Sequence, residues 1–253
     1  VTRIVGISLV RNEERYIERV LRNALGLCDR ILVLDNLSTD DTGSIVDRLG
    51  KETGRVGRQM VHHLGGSHAH VQEFIGTDTW VFGVDGDEVY DPAGLRRLRD
   101  RLLGGEFRDN WMVRGHFLHV TALDSRLATG WMAPPSHDPN KLYNFGMVQS
   151  WPPDRRTLFH GEGLVLRGGR GYSEAHRRLV DEAPWERSDM RCLHLRFIAR
   201  SRVDAGIDRL AEPRVNPYSV AKVKEGYVGW TKYRRGDEVT VDARPFFGAE
   251  AGA

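Results

Sequence analysis

The feature that most constrains this chain is a regular change of hydrophobic period over residues 1–105. Arg3 to Leu9, Arg30 to Asp35, Arg58 to His63 and Thr79 to Asp85 are short runs rich in Val, Ile and Leu, the pattern of strands buried on both faces. Between the first two, Ile17, Val20, Leu21 and Ala24 fall at helical spacing, with Arg15, Glu18, Arg19 and Arg22 on the opposite face. Ser38 and Asp41 form an S-x-x-D capping signal, which predicts a helix from near Thr39 to Leu49, ahead of Gly50. Asp91-Pro92 joins an N-cap to a first-turn proline and predicts a third helix through Leu103, ended by Gly104-Gly105. Strand and helix in this alternation imply parallel strands joined by right-handed crossovers. The expected fold class is α/β, doubly wound about a mostly parallel sheet.

The texture changes beyond residue 110. Trp111 to Val120 reads as one longer strand, and Pro134-Pro135, Asp138-Pro139 and Trp151-Pro152-Pro153 punctuate a loop-rich stretch. Short strands are expected at Lys141 to Phe145, Gly163 to Arg167 and Arg191 to Phe197. Val220, Val223, Tyr227 and Trp230 share a helical face, which suggests a small helical C-terminal appendage. The division that follows is a domain over 1–198, with a first half at 1–105 and a loop-rich second half at 106–198, and an appendage over 199–253.

Composition narrows the function classes. Lys and Arg number 37 against 35 Asp and Glu, a formal charge of +2 with the basic residues scattered, so no nucleic-acid partner is expected. Cys28 and Cys192 stand far apart and form no C-x-x-C pair, which excludes a disulfide framework or a zinc knuckle and agrees with a reducing cytoplasm. No apolar run reaches the roughly 20 residues that span a bilayer, and the N-terminal stretch lacks a signal-peptide layout. A soluble, cytoplasmic protein without an integral membrane segment is expected. Its oligomeric state is left open, a homodimer included.

In open α/β sheets, ligands bind at the carboxyl ends of the strands. The first strand ends at Ser8 and is followed by Arg11-Asn12-Glu13-Glu14, the second ends at Asp35-Asn36, and the fourth at Asp85-Gly86-Asp87. All three clusters should face one crevice. Ser38, Asp41 and Asp91 read as helix caps. Asp85 and Asp87 are two apart, so in an extended chain they share a face, and two such carboxylates repel unless one is protonated or a cation lies between them. A hard divalent metal bridging them to phosphate oxygens resolves the repulsion, and the bare backbone of Gly86 lets a diphosphate approach. Strict alternation turns Glu88 the other way.

The pairing of VGISLVRNEERYIERVLRNALGLCDRILVLDNLSTDDT with DTWVFGVDGDEVYDP resembles the family-2 type of glycosyltransferase with a GT-A fold. The resemblance covers the first hundred residues well and the remainder loosely. It implies transfer of a sugar from a nucleotide-sugar donor to an acceptor hydroxyl, with inversion and with Mn²⁺ or Mg²⁺ as cofactor. Carried over by position, Arg11 and Glu13 line the nucleotide pocket, Asp35 contacts the base or ribose, Asp85 holds the ribose or donor sugar, and Asp87 ligates the metal. His194, on an apolar strand, resembles the position of a third metal ligand or phosphate contact. Phe159-His160-Gly161-Glu162 stands where relatives carry a His-Glu pair. Glu162 is thus a candidate base, with His160, Asp138 and Asp181 as rivals. Gly65-Gly66-Ser67-His68-Ala69-His70 departs from the Arg-Asn that relatives commonly carry there.

The leaving diphosphate also needs cations, for which Arg167, Arg170 and Arg177 are candidates. Trp111, Trp131, Trp151 and Trp185 are candidates for stacking on an acceptor, a natural product or other small molecule or an oligosaccharide. No Gly-rich phosphate loop follows the first strand, which disfavours a nucleotidyltransferase or a dinucleotide-dependent oxidoreductase. The remaining rival is a sugar-nucleotide or carbohydrate-binding module that kept the fold and lost the base.

Overall fold

The structure is a computed structural model that describes residues 1–62, 64–152, 163–204, 206 and 233–248. The chain opens with β1 (Arg3–Val10), α1 (Ile17–Ala24), β2 (Arg30–Asp35), α2 (Thr42–Thr53), β3 (Val56–Met60) and β4 (Thr79–Gly83), in the alternation expected from its periods. A stretch of 3-10 turns, Leu64–Phe74, leads into β4. There follow β5 (Glu88–Tyr90), α3 (Pro92–Leu103), β6 (Met112–Arg114), β7 (His116–Leu123), β8 (Leu127–Ala133), β9 (Leu142–Asn144), β10 (Val148–Ser150), β11 (Val165–Leu166), β12 (His176–Arg178), β13 (Arg191–His194), β14 (Glu238–Asp242) and the short α4 (Arg244–Phe247).

Seven strands form the main sheet in the order β12-β6-β9-β4-β1-β2-β3. Four of its six pairings are parallel, and β9 runs antiparallel to both β4 and β6. The α/β class with a mostly parallel sheet therefore holds. β1 shows why its strands read as continuous apolar runs: Ile4 and Val10 pack on one face with the α1 stripe, and Val5 and Ile7 on the other with Val71, Phe74 and Tyr143. Ile17, Val20, Leu21 and Ala24 are fully buried, as their spacing requires.

Two local expectations are corrected. Helix α2 starts at Thr42 rather than near Thr39, because Ser38 Oγ accepts from Asn12 N (3.0 Å) instead of capping, and Asp41 at the N-cap makes no side-chain capping bond. The single strand expected at Trp111 to Val120 is two, β6 and β7, in different sheets. The chain changes sheet at Gly115, where a Cβ would stand 2.0 Å from the carbonyl oxygen of Met190. The third helix, by contrast, begins at Pro92 with Asp91 accepting from Ala93 N (2.9 Å).

A second sheet, in the order β14-β8-β7-β13-β5, was not legible as a unit in the sequence. Its register aligns Glu88 on β5, His194 on β13 and His119 on β7 in one cross-strand row. β14 adds antiparallel to β8, so part of the 199–253 stretch joins this sheet. The Val220, Val223, Tyr227 and Trp230 face lies outside the described residues. Among the described residues no helix is long and apolar enough to cross a membrane, and Cys28 and Cys192 are both buried free thiols.

Candidate active site

The loops that follow β1 and β2 hold each other. Asn12 N donates to Ser38 Oγ, Thr39 N donates to Asn12 Oδ1 (2.8 Å), Glu13 N donates to Thr42 Oγ1 (2.7 Å), and Asp41 N donates to Glu14 Oε2 (3.1 Å). Much of the Arg-Asn-Glu-Glu and Ser-Thr-Asp-Asp-Thr runs is thus engaged in fixing one loop against the other. A turn at Ser201 to Asp204 docks on the same pair: Ser201 Oγ donates to Asp40 Oδ2 (2.6 Å), and Arg202 pairs with Glu14 (3.0 Å) and Asp41 (2.6 Å). This docking brings Arg200 to Glu13 and Asp87.

Asp35, at the end of β2, is buried and accepts from Ser38 N (2.9 Å) and from the Arg58 guanidinium (3.2 Å). Ser8 lies fully buried, and its Oγ has no hydrogen-bond partner among the described residues, so it does not line an open crevice as expected. Arg11 is exposed.

β4 ends at Gly83, two residues earlier than expected, so Asp85 to Asp87 form a turn rather than an extended strand end. Two expectations fail with it. Asp85 and Asp87 do not share a cation: Lys141 Nζ lies 2.6 Å from Asp85 Oδ2 and 2.8 Å from Glu88 Oε1, whereas Asp87 Oδ2 lies 2.6 Å from the Arg200 guanidinium. Glu88, which alternation turned away, is therefore the partner of Asp85, and its Oε2 accepts from the Tyr90 hydroxyl (2.9 Å). The bare face of Gly86 does not lie open to a diphosphate, because a Cβ there would meet Cγ of Glu13 at 2.5 Å.

Charge in this turn is set by burial against two protein cations. Burial alone would lower the Lys141 ammonium, but Asp85 and Glu88 hold it well above its ordinary range. Burial, only partly offset by Lys141, pushes the Glu88 carboxyl up to about 8. Burial would also raise Asp87, yet Arg200 and then His194 outweigh it and keep that carboxyl well below the usual range, hence ionised. Arg200 bridges two chain segments, since it also reaches Glu13 Oε1 at 2.8 Å.

His194 Nε2 faces Asp87 Oδ2 at 3.6 Å, and behind it His119 is pushed down to about 2 by burial, with His194 adding to the effect. Among the described residues no group of three or more His, Cys, Asp or Glu could hold a metal. Asp87 and His194 nevertheless offer an ionised oxygen and an imidazole nitrogen 3.6 Å apart, with Arg200 on the same carboxylate oxygen at 2.6 Å. A small divalent ion commonly takes only one or two protein ligands beside substrate phosphates, so this pair fits such an ion.

Among the described residues the other candidates are held away from the turn by partners of their own. His160 and Glu162 lie outside the described residues. Asp138, a rival base, is buried against Arg114, and Asp181 pairs with Arg178 on the surface (3.4 Å). Arg167 donates to Gly76 O (3.4 Å), Arg170 to Asp109 O (2.9 Å), and Arg177 pairs with Glu182 (2.5 Å). Trp111 and Trp151 are core, packed edge-on at 5.9 Å, and Trp185 stacks on Phe246, so none of these three is an acceptor platform. Sequence reasoning missed Lys141, Arg200 and His119. The one available signal was that an acidic turn at a buried strand end requires basic partners, without saying from where.

The profile of glycosyl transferase family 2 matches residues 7–167, well over half of the chain. An uncharacterized glycosyltransferase of Rickettsia conorii is 27% identical over 86 residues, covering 34% of this chain and 29% of the relative. One of Rickettsia typhi is 30% identical over 86 residues, covering 34% and 28%. The chain thus spans less than a third of these curated relatives. Among solved structures, glucosyl-3-phosphoglycerate synthase from Mycobacterium tuberculosis in complex with Mn²⁺, uridine diphosphate and phosphoglyceric acid is 25% identical, over 46% of this chain and 43% of that one, with a TM-score of 0.35. With its family profile covering both the braced loops and the acidic turn, the chain belongs to glycosyl transferase family 2.

Proposed function

We propose that the protein is a divalent-metal-assisted, inverting glycosyltransferase that moves a sugar from a nucleotide-sugar donor to an acceptor hydroxyl. The observation that carries this reading is the meeting of Asp87, His194 and Arg200 at the end of β4, beside the loops of β1 and β2. The donor half is 1–105 and the acceptor half 106–198. A soluble natural product or an oligosaccharide is the acceptor the reading favours.

In this mechanism Asp35, with Arg58 beside it, holds the nucleoside end of the donor, and Arg11 and Glu13 border the same pocket. Asp87 and His194 would hold a Mn²⁺ or Mg²⁺ ion, which supplies charge neutralisation to the leaving diphosphate. Arg200 keeps Asp87 ionised and fixes it to Glu13. Lys141 holds Asp85 at the donor-sugar side of the turn. Glu162 takes the proton from the acceptor hydroxyl, whose oxygen bonds to the anomeric carbon on the face opposite the diphosphate while the bond from that carbon to the diphosphate oxygen breaks and the nucleoside diphosphate leaves with the electron pair, so the configuration inverts.

The test is release of nucleoside diphosphate from a panel of nucleotide sugars, with Mn²⁺ or Mg²⁺ and again with EDTA. Metal-supported release is expected, suppressed by the chelator. Donor binding with neither hydrolysis nor transfer for any common donor would instead favour a binding module without turnover.

A further inference from the structure

His194 stands between Asp87 and a second histidine. It pairs with His119 across the parallel strands β13 and β7, and the two rings meet Nδ1 to Nδ1 at 2.8 Å. His119 Nε2 in turn lies 2.6 Å from the carbonyl oxygen of His137. A carbonyl oxygen can only accept, so His119 Nε2 carries a hydrogen. His119 is fully buried, and its described polar contacts are one carbonyl and one imidazole, with no carboxylate; a charged ring there would be an uncompensated buried charge. Its Nδ1 is therefore bare, and the hydrogen between the rings belongs to His194 Nδ1. That leaves the lone pair of His194 on Nε2, directed at the ionised Asp87 Oδ2 over 3.6 Å, too far for a hydrogen bond. Arg200 balances Asp87 Oδ2 from one side at 2.6 Å, and the bare nitrogen of His194 facing that carboxylate offers a second donor atom for a cation.

We infer that His119 is a positioning residue for the cation site: by accepting the Nδ1 hydrogen of His194 it directs the bare Nε2 of that ring toward Asp87, ready to ligate a divalent ion. The inference rests on the metal-assisted reading above. The carbonyl of His137 sets His119, His119 sets His194, and the tautomer needed for ligation is present before any ion arrives.

The experiment is a Mn²⁺ titration of the full chain without donor, read by the electron paramagnetic resonance of free Mn²⁺ and by thermal shift. His119→Phe keeps a ring and removes the acceptor, whereas His119→Asn offers an amide oxygen near the place of Nδ1. His119→Phe should weaken Mn²⁺ binding about 10- to 100-fold, the usual effect of losing an outer-shell partner, and His119→Asn should recover most of it. If wild type takes up no Mn²⁺, the metal reading fails and this inference with it. If wild type binds while His119→Phe or His194→Ala binds as tightly, the inference fails and the metal reading stands. Imidazole nitrogen shifts measured by NMR on metal-free wild type depend on no variant folding. They should show His194 with its hydrogen on Nδ1; a hydrogen on Nε2, or a charged ring, overturns the inference.

Discussion

Lys141 Nζ, just ahead of β9, lies 2.6 Å from Asp85 Oδ2 and closes a half-buried contact with the turn after β4, with Glu88 as its second partner at 2.8 Å. The acids of the Asp85 to Glu88 turn are held by cations of the protein itself, Lys141 for one pair and Arg200 for Asp87. The turn is therefore built before any ligand binds.

Lys141→Met removes the positive partner from Glu88, which is fully buried, and from Asp85, whose side chain is 41% exposed. Glu88 carries a proton near neutral pH, so the pair that is lost is Lys141 with the part-exposed Asp85, and stability should fall by about 1 kcal/mol. Adding Glu88→Gln should change little further at neutral pH. Urea denaturation of the single and double variants measures both, and an unchanged midpoint for Lys141→Met would count against the pair.

Gly86→Ala puts a methyl group 2.5 Å from Glu13 Cγ and 3.0 Å from Glu13 Cβ, atoms too close to the backbone to swing aside. Overpacking of this kind should cost about 1–3 kcal/mol and displace Glu13 from Arg200. The expected outcome is a lower melting temperature together with weaker donor binding, measured by calorimetry on the same preparation.

Asp87→Ala and Glu162→Gln separate binding from chemistry. The first should abolish the Mn²⁺-dependent thermal shift given by a nucleoside diphosphate. The second should leave that shift intact and reduce turnover by about 100-fold or more, the contribution of a general base. Near-normal rates from Glu162→Gln would assign the base elsewhere.

His116 adds an acid dependence to stability. It is buried beside Trp185, at 6.1 Å between ring centres, and burial pulls its pKa below the ordinary 6.5. Above that value the ring is neutral in both folded and unfolded chains. As pH falls below it, the unfolded chain takes up a proton that the folded chain refuses, so stability decreases until the lower folded pKa is passed. Unfolding free energies of wild type and His116→Phe, compared from neutral pH to pH 5, should differ by a downward contribution in wild type that the variant lacks.

What could be read along the chain was what depends on near neighbours. The two-sided burial of β1 and β2, the stripe Ile17, Val20, Leu21, Ala24 and the Asp91-Pro92 helix start are set by period and capping within a few residues. The parallel order of β4, β1 and β2 places the ends of these strands side by side, and Glu13 and Asp87 meet there on Arg200. Ser38 was misread because its hydroxyl found a partner, Asn12, in another loop rather than in its own helix.

Partners from distant segments were decided only by the tertiary structure. Lys141 is 56 residues from Asp85, and it meets that acid because β9 pairs antiparallel beside β4, a register that no local pattern announces. Arg200 reaches Asp87 through a turn anchored on Glu14, Asp40 and Asp41. His119 meets His194 because Gly115 lets the chain leave one sheet for the other at a close approach to Met190. The acidic turn can be recognised in the sequence because its charges are adjacent there; the groups that balance it are chosen by strand register and burial, which exist only once the sheets have formed.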